Sequence, residues 1–278
     1  MRCIFCKVTS ERSKGVEHII PESLGNIEHV LPRGAVCDTC NNYFARKIEG
    51  PLLESPWFRH ARSRQWIPNK RGYTPPMTGI IPAARLIANA WQSGSALTLG
   101  GRTEAEHRLL TEAIVSGKAR SAYIPIVDAI DPRLMSRFLA KVALEVLAHR
   151  VLAVEGWQNE IVENRALDNI RRFARVGDVP TSWPFTRRRL YDEDDVQLSG
   201  DGAYQILHEF TLLYLPLEQP GHADLFAVIC VFGEEFAINM GEPEIAKYED
   251  WLALHSGVSP LYQNDVLPVP PLYGDSHS

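Results

Sequence analysis

The sequence predicts an α+β protein in two parts, a short module stapled by metal followed by a larger domain that mixes helices with antiparallel strands. Two observations carry this division. Four of the five cysteines form two CxxC pairs near the N-terminus, Cys3/Cys6 and Cys37/Cys40. Further along, helical periodicity in the middle of the chain gives way to strand-like apolar runs towards its end. The composition agrees: 278 residues, 45% hydrophobic and 23% charged, describe a globular chain with buried cores.

Residues 1–55 form the first module, because their knuckle-like turns come with too few apolar side chains for an unaided core. Within it, Val16 to Ile20 predicts a short strand ended by Pro21, and Asn41 to Ile48 a helix stopping before Gly50-Pro51. Residues 56–77 read as a basic linker or surface arm. There Arg59, Arg62, Arg64, Lys70 and Arg71 interleave with Trp66 and Tyr73, a pattern suited to a nucleic-acid backbone.

The accessory α+β domain spans 78–278. Residues 78–100 leave strand and helix undecided, Glu104 to Ser116 predicts a helix, and Pro132 to Val154 an amphipathic one with Phe138, Leu139, Val142, Leu147 and Leu152 on its buried stripe. Another helix follows from Gln158 or Glu160 to Ala174. Tyr204 to Leu215, Asp224 to Phe232 and Glu235 to Met240 predict strands, and the Pro-rich end an irregular tail. Arg187-Arg188-Arg189 precedes an acidic run from Asp192 to Asp195, which predicts a solvated turn or a salt-bridging surface. His149 and His208 read as surface or hydrogen-bonded histidines, and Cys230, inside an apolar run, as a buried inert thiol.

Charge is uneven along the chain. Residues 1–72 hold 12 Lys and Arg against 7 Asp and Glu, and the rest 17 against 27, so a nucleic-acid partner is expected at the N-terminal part. No apolar run reaches the roughly 20 residues of a membrane span, and no apolar leader opens the chain. The expectation is a cytoplasmic protein with no membrane partner. In that reducing compartment paired CxxC units point to metal before disulfide, and two turns each presenting two thiolates close a tetrahedral Zn2+ site from Cys3, Cys6, Cys37 and Cys40. Such a site has no open position, so the metal is structural.

Between the knuckles lies Glu17-His18-Ile19-Ile20-Pro21, and directly after the second come Asn41-Asn42. A carboxylate, an imidazole and a carboxamide gathered by one small unit suit phosphodiester hydrolysis, which asks for a base to deprotonate water and a cation to neutralise phosphate charge. The ordered string Cys3-Ile4-Phe5-Cys6, Glu17 to Gly25, Val36 to Phe44 and Ile48-Glu49 resembles the HNH endonucleases of the ββα-metal fold, in their branch with two zinc knuckles. The resemblance covers residues 1–55 alone.

Carried over, it implies a metal-dependent DNA endonuclease in which His18 is the general base and Glu17 a ligand of a catalytic Mg2+ or Mn2+. Asn41 takes the place of the second ligand, with Asn42 as the alternative. Arg33, Arg46 and Lys47 are the nearest basic candidates for phosphate contacts. The family's middle asparagine, which orients the base, has no clear counterpart, and His29 and Asn26 are the two candidates. Glu49 follows Asn41 by eight residues, about 12 Å along a helix, which makes it a second-shell or salt-bridging residue. Successive strand side chains face opposite ways, so Glu17 and His18 converge on one ion only if the strand bulges or ends there.

Two other readings share these residues: a non-catalytic zinc-stabilised nucleic-acid-binding module, and a protein whose zinc is a staple alone. The accessory domain selects substrate, forms a homodimer, or senses a regulatory ligand that gates the nuclease, and hydrolysis at phosphate does not separate DNA from RNA.

Overall fold

A computed structural model describes the chain except residues 70, 94–95, 126–127, 153, 155–157, 179, 193–194, 200–201, 218–222 and 263–278. Lys70, part of the acidic run and the Pro-rich tail therefore lie outside the described residues. In chain order the elements are β1 (Glu17–His18), β2 (Val30–Leu31), α1 (Asp38–Phe44), a π turn (Ala45–Glu49), α2 (Gly50–Leu53), α3 (Pro56–Arg64), β3 (Met77–Ile81), β4 (Leu86–Ser93), β5 (Ala96–Gly101) and α4 (Glu104–Val115). They continue with α5 (Pro132–Val151), α6 (Gln158–Glu163), α7 (Asp168–Arg175), β6 (Phe185–Arg189), β7 (Val196–Ser199), β8 (Gly202–Gln205), β9 (His208–Pro216), β10 (Ala223–Val231), β11 (Glu234–Asn239) and α8 (Ala246–Leu254). The fold is α+β: an N-terminal region of short strands and a helix carrying four clustered cysteines, then a larger mixture of helices and antiparallel strands.

Compactness does not follow the serial order. Met1–Gly50 and Pro132–Ser278 form one unit, and Pro51–Asp131 forms a second. Within the first unit the apolar face of residues 1–50 is covered by α5 and α7.

In the first unit β6, β11, β10 and β9 form an antiparallel sheet in that order. Helix α5 packs on it, while Tyr248 of α8 packs with Phe226, Val228 and Ala237. Strand β11 is buried throughout, including the polar Glu234, Glu235 and Asn239 as well as Phe236, Ala237 and Ile238. Helix α5 is itself buried nearly all round, including Phe138, Leu139, Val142 and Leu147 of the expected stripe. The β10–β11 turn is two residues, Phe232 and Gly233, both at positive φ, as a twisted hairpin requires. Glycine is needed at the second, where a Cβ would lie 2.1 Å from the Tyr191 carbonyl oxygen.

Several elements depart from the sequence expectation. The strand expected from Tyr204 to Leu215 is two strands, because the chain changes partner: β8 pairs with β7, and β9 with β10. The helix expected up to Ala174 breaks at Asn164, whose side chain accepts from the Ala166 amide. The arginine run is β6 itself; Arg187 and Arg189 pair with Glu234, and Arg188 with Glu235, across the strand register.

The second unit holds α3, the β3–β4–β5 antiparallel sheet and α4, which starts with a capping box from Thr103 and Glu106. Ile81, Ala88 and Leu110 form its small core. Residues 56–64, expected as part of a linker, are helical: Pro56 opens α3, and Trp57, Phe58, Ala61 and Arg62 are buried. Basic composition concealed the i, i+1, i+4 apolar spacing there. Arg62, expected at the surface, lies in the interior; Arg59 donates to the Pro76 carbonyl.

Candidate functional site

The cysteines meet in a single cluster. The ligand atoms of Cys3, Cys6, Cys37 and Cys40 all lie within 4.8 Å of one another. The Cys6 and Cys37 sulfurs are 3.6 Å apart, close to the edge of about 3.8 Å that a tetrahedron with Zn–S bonds of about 2.3 Å has. Lys7 turns the first knuckle at positive φ and donates to the Cys3 carbonyl, and Cys37 caps α1 by accepting from the Cys40 amide. Hydrogen bonding to Cys40 pushes the Cys3 thiol down to about 4, burial pushes Cys6 up to about 11, and the bond to Cys3 together with burial raises Cys40. Four thiols in one buried place cannot all ionise without a cation, which is the chemistry that a Zn2+ ion satisfies.

Elements distant in sequence buttress this cluster. Arg171 of α7, almost wholly buried, donates to the Ile4 carbonyl inside the first knuckle at 2.8 Å and also to the carbonyls of Ile161 and Asn164. Lys7 pairs with Asp168 at 2.6 Å, Arg2 pairs with Glu163, and Phe5 packs on Phe44 with ring centroids 4.5 Å apart.

The β1–β2 hairpin carries the Glu17–His18 pair, with Glu17 opposite Leu31 and His18 opposite Val30. Its pleat separates the two side chains: Glu17 and Leu31 are buried, whereas His18 and Val30 are partly exposed. The strand ends at His18, and the chain then enters a loop. Asn26 staples that loop. Fully buried, it donates to the carbonyls of Ile20 (2.8 Å) and His29 (2.9 Å) and accepts from the amides of His29 (2.9 Å) and Glu28 (3.2 Å). His29 O also accepts from Ile19 N, so every polar atom of the Asn26 carboxamide serves to fix the backbone after His18. At the other end of the strand, Asp38 accepts from the amides of Gly15 and Lys14, which hold its carboxyl below the usual range. Asn41 donates to the Val16 carbonyl at 3.4 Å and lies beside Gly15, next to the start of β1.

Glu17 turns inward onto Lys141 of α5. This lysine is completely buried, and its Nζ lies 2.6 Å from Glu17, 2.6 Å from Glu49 and 2.9 Å from Glu145, with a longer 3.4 Å donation to the His18 carbonyl. Three carboxyl groups surround one ammonium. Burial drives Glu145 well above the usual carboxyl range; despite its own burial, Lys141 is held well above its usual value by the three carboxylates. Glu17 and Glu49 thus share one ammonium with Glu145. Glu49 reaches this group from the π turn, where Gly50 donates to Ala45. That wider turn inserts an extra residue and re-aims Glu49 relative to Asn41. Gly50 suits the turn, since a Cβ there would lie 3.0 Å from the Ala45 carbonyl oxygen.

The remaining expected residues are placed as follows. Asn42, Arg33, Arg46 and Lys47 are exposed, and Asn42 follows Asn41 on the helix facing solvent. The Nδ1 atom of His18 is buried with no hydrogen-bond partner among the described residues, so solvent-side chemistry of this ring runs through Nε2. His29 packs edge-on against His149, His208 and Phe210, and with Asn26, Glu28, Gln205, His208 and Glu209 it lines a cleft of about 420 Å³. Burial, reinforced by His29, pushes His208 down to about 4. Sequence reasoning missed Lys141, because a Lys and a Glu four residues apart ordinarily form an exposed helical pair. The available signal was that this pair sits within the apolar stripe of α5.

Comparison with known proteins is informative for this region alone. The profile of a family described as HNH endonuclease matches residues 3–56, a segment that is thus HNH-like with one four-cysteine metal-binding cluster. No curated protein and no solved structure matches the chain. Among the described residues no helix is long and apolar enough to cross a membrane.

Proposed function

We propose that the protein is a metal-dependent endonuclease that hydrolyses phosphodiester bonds in DNA, with His18 as general base and Glu17 and Asn41 as ligands of a catalytic Mg2+ or Mn2+. The observation that carries this reading is the placement of the Glu17–His18 pair on a two-residue hairpin that adjoins Asn41 and is fastened at both ends, by Asp38 and by Asn26. The reading agrees with the HNH-like profile over the same residues.

The donor set suits a hard divalent ion. Glu17 is one of three carboxyl groups gathered around the single ammonium of Lys141. The proposed ligands, Glu17 and Asn41, bring one carboxylate and one carboxamide oxygen. This fits an ion such as Mg2+, which keeps several waters and takes one or two protein oxygens plus substrate phosphate. When bound, the cation supplies neutralising charge at the scissile phosphate and the departing 3′ oxygen.

The chain's own residues do the rest. His18, with Nδ1 closed off, takes a proton at Nε2 from the water that attacks phosphorus. Asn26 holds the backbone that presents the imidazole, and the exposed Arg33, Arg46 and Lys47 meet flanking phosphates. The four cysteines hold Zn2+ as a staple, with no vacant position for substrate. A regulatory role for the C-terminal portion is favoured by one observation: the cleft beneath His29 opens on the same loop that Asn26 fastens.

The test is cleavage of supercoiled plasmid, single-stranded DNA and RNA by zinc-loaded, EDTA-rinsed protein with added Mg2+ or Mn2+. Cleavage that requires added metal and disappears in a folded His18→Ala variant supports the reading, and the preferred substrate identifies the nucleic acid. Equal cleavage by the variant, or binding without turnover, overturns it.

A further inference from the structure

Within the nuclease reading, on which this inference rests, we propose that Lys141 is the positioning residue of the site, orienting the Glu17 carboxylate for the metal and the His18 backbone for the base. It lies far outside the HNH-like segment, 124 residues beyond Glu17.

The geometry assigns this role in three steps. First, Lys141 Nζ touches both members of the pair, the side chain of Glu17 at 2.6 Å and the carbonyl of His18 at 3.4 Å. One rigid ammonium thus links the two residues that the strand pleat sends to opposite faces. Second, the contact to Glu17 is made through one carboxylate oxygen, Oε1, so the lysine need not occupy both. Third, the lysine cannot drift. It is completely buried on the central helix α5, and Glu49 at 2.6 Å and Glu145 at 2.9 Å pair with it from other sides. A long side chain in water loses entropy to hold one geometry, but this one is already confined by packing.

The same contacts make a different demand if Lys141 serves the fold alone or competes with metal for Glu17, so the experiment separates the three. Lys141→Met by itself leaves three buried carboxyl groups without a counter-ion. The informative comparison is therefore between Glu49→Gln/Glu145→Gln and the same protein with Lys141→Met added, or Lys141→Leu if the methionine variant does not fold. The measurements are kcat, the Mn2+ concentration for half-maximal cleavage, zinc content and thermal midpoint.

Removing the lysine in this background is expected to lower kcat on the order of 10²-fold and to raise the Mn2+ midpoint, with one zinc retained. Adding Glu17→Gln to both proteins is expected to abolish the difference, because the two residues act through one contact. Unchanged kcat and Mn2+ midpoint would overturn the proposal in favour of a purely structural lysine, and a lowered midpoint would overturn it in favour of an ammonium that competes with metal. If the unmodified protein does not cleave at all, the nuclease reading itself fails. Titration calorimetry of Mn2+ into the same pair of variants then judges the Lys141–Glu17 contact alone, with equal affinities counting against it.

Discussion

Replacing Asn26 by alanine is expected to destabilise the protein by about 3 kcal/mol and to slow cleavage on the order of 10²-fold without loss of zinc. The magnitude follows from the four bonds that the carboxamide makes. Glu28 N, at the longest of the four distances, adjoins exposed residues and recovers a water partner, while His29 O keeps the Ile19 amide. The Ile20 carbonyl and the His29 amide are left behind, and a buried polar group without a partner costs about 1–3 kcal/mol. Two such groups, with the small cavity left by the side chain, give the figure.

Asn26→Asp sharpens the test. It keeps the accepting oxygen but turns a carboxylate towards the carbonyls of Ile20 and His29, so at neutral pH it is expected to be at least as damaging as alanine. Its folded-state pKa is raised, and stability is regained as pH falls and the new carboxyl gains a proton to donate. Urea denaturation at pH 7 and pH 5, zinc content and single-turnover cleavage measure these effects. A loss below about 1 kcal/mol for Asn26→Ala, or unchanged cleavage, would show that the loop holds its shape without the staple.

Two further outcomes are expected. Cys40→Ser, or stripping zinc with a strong chelator, removes a buried ligand of the cluster and releases both knuckles; circular dichroism should show loss of cooperative folding in residues 1–50, restored in the chelated protein by Zn2+ but not by Mg2+. His208 titrates at about 4 in the folded protein against about 6.5 when unfolded, so the unfolded chain binds the extra proton between those values and stability falls as pH drops through that window. The full effect is about 3 kcal/mol, and His208→Phe should flatten the acid limb of the stability curve in urea titrations by that amount, whereas superimposable limbs would refute the assignment.

What could be read from the sequence were features whose determinants are short-range. The CxxC pairs specify a tetrahedral thiolate cluster because each pair fits one tight turn, and the order Glu17-His18, then Asn41 after Cys40, exposes the HNH-like module as a string. Helix α5 was equally legible, since apolar residues recur at helical spacing along its twenty residues. Asn26 was named as a candidate to orient His18, but its role depends on four backbone partners that only a folded loop brings together.

The tertiary structure alone decided which segments share a core. Residues 1–50 dock on elements beyond residue 131, through Arg171 on the Ile4 carbonyl and Lys141 on Glu17, while α3 and the small three-stranded sheet belong to the second compact unit. Sequence periodicity records whether a residue faces inward, not what it meets there. A lysine at one position and a glutamate 124 residues away carry no local signal of their pairing, because the free energy that joins them arises only after α5 has closed over the hairpin and excluded water from both.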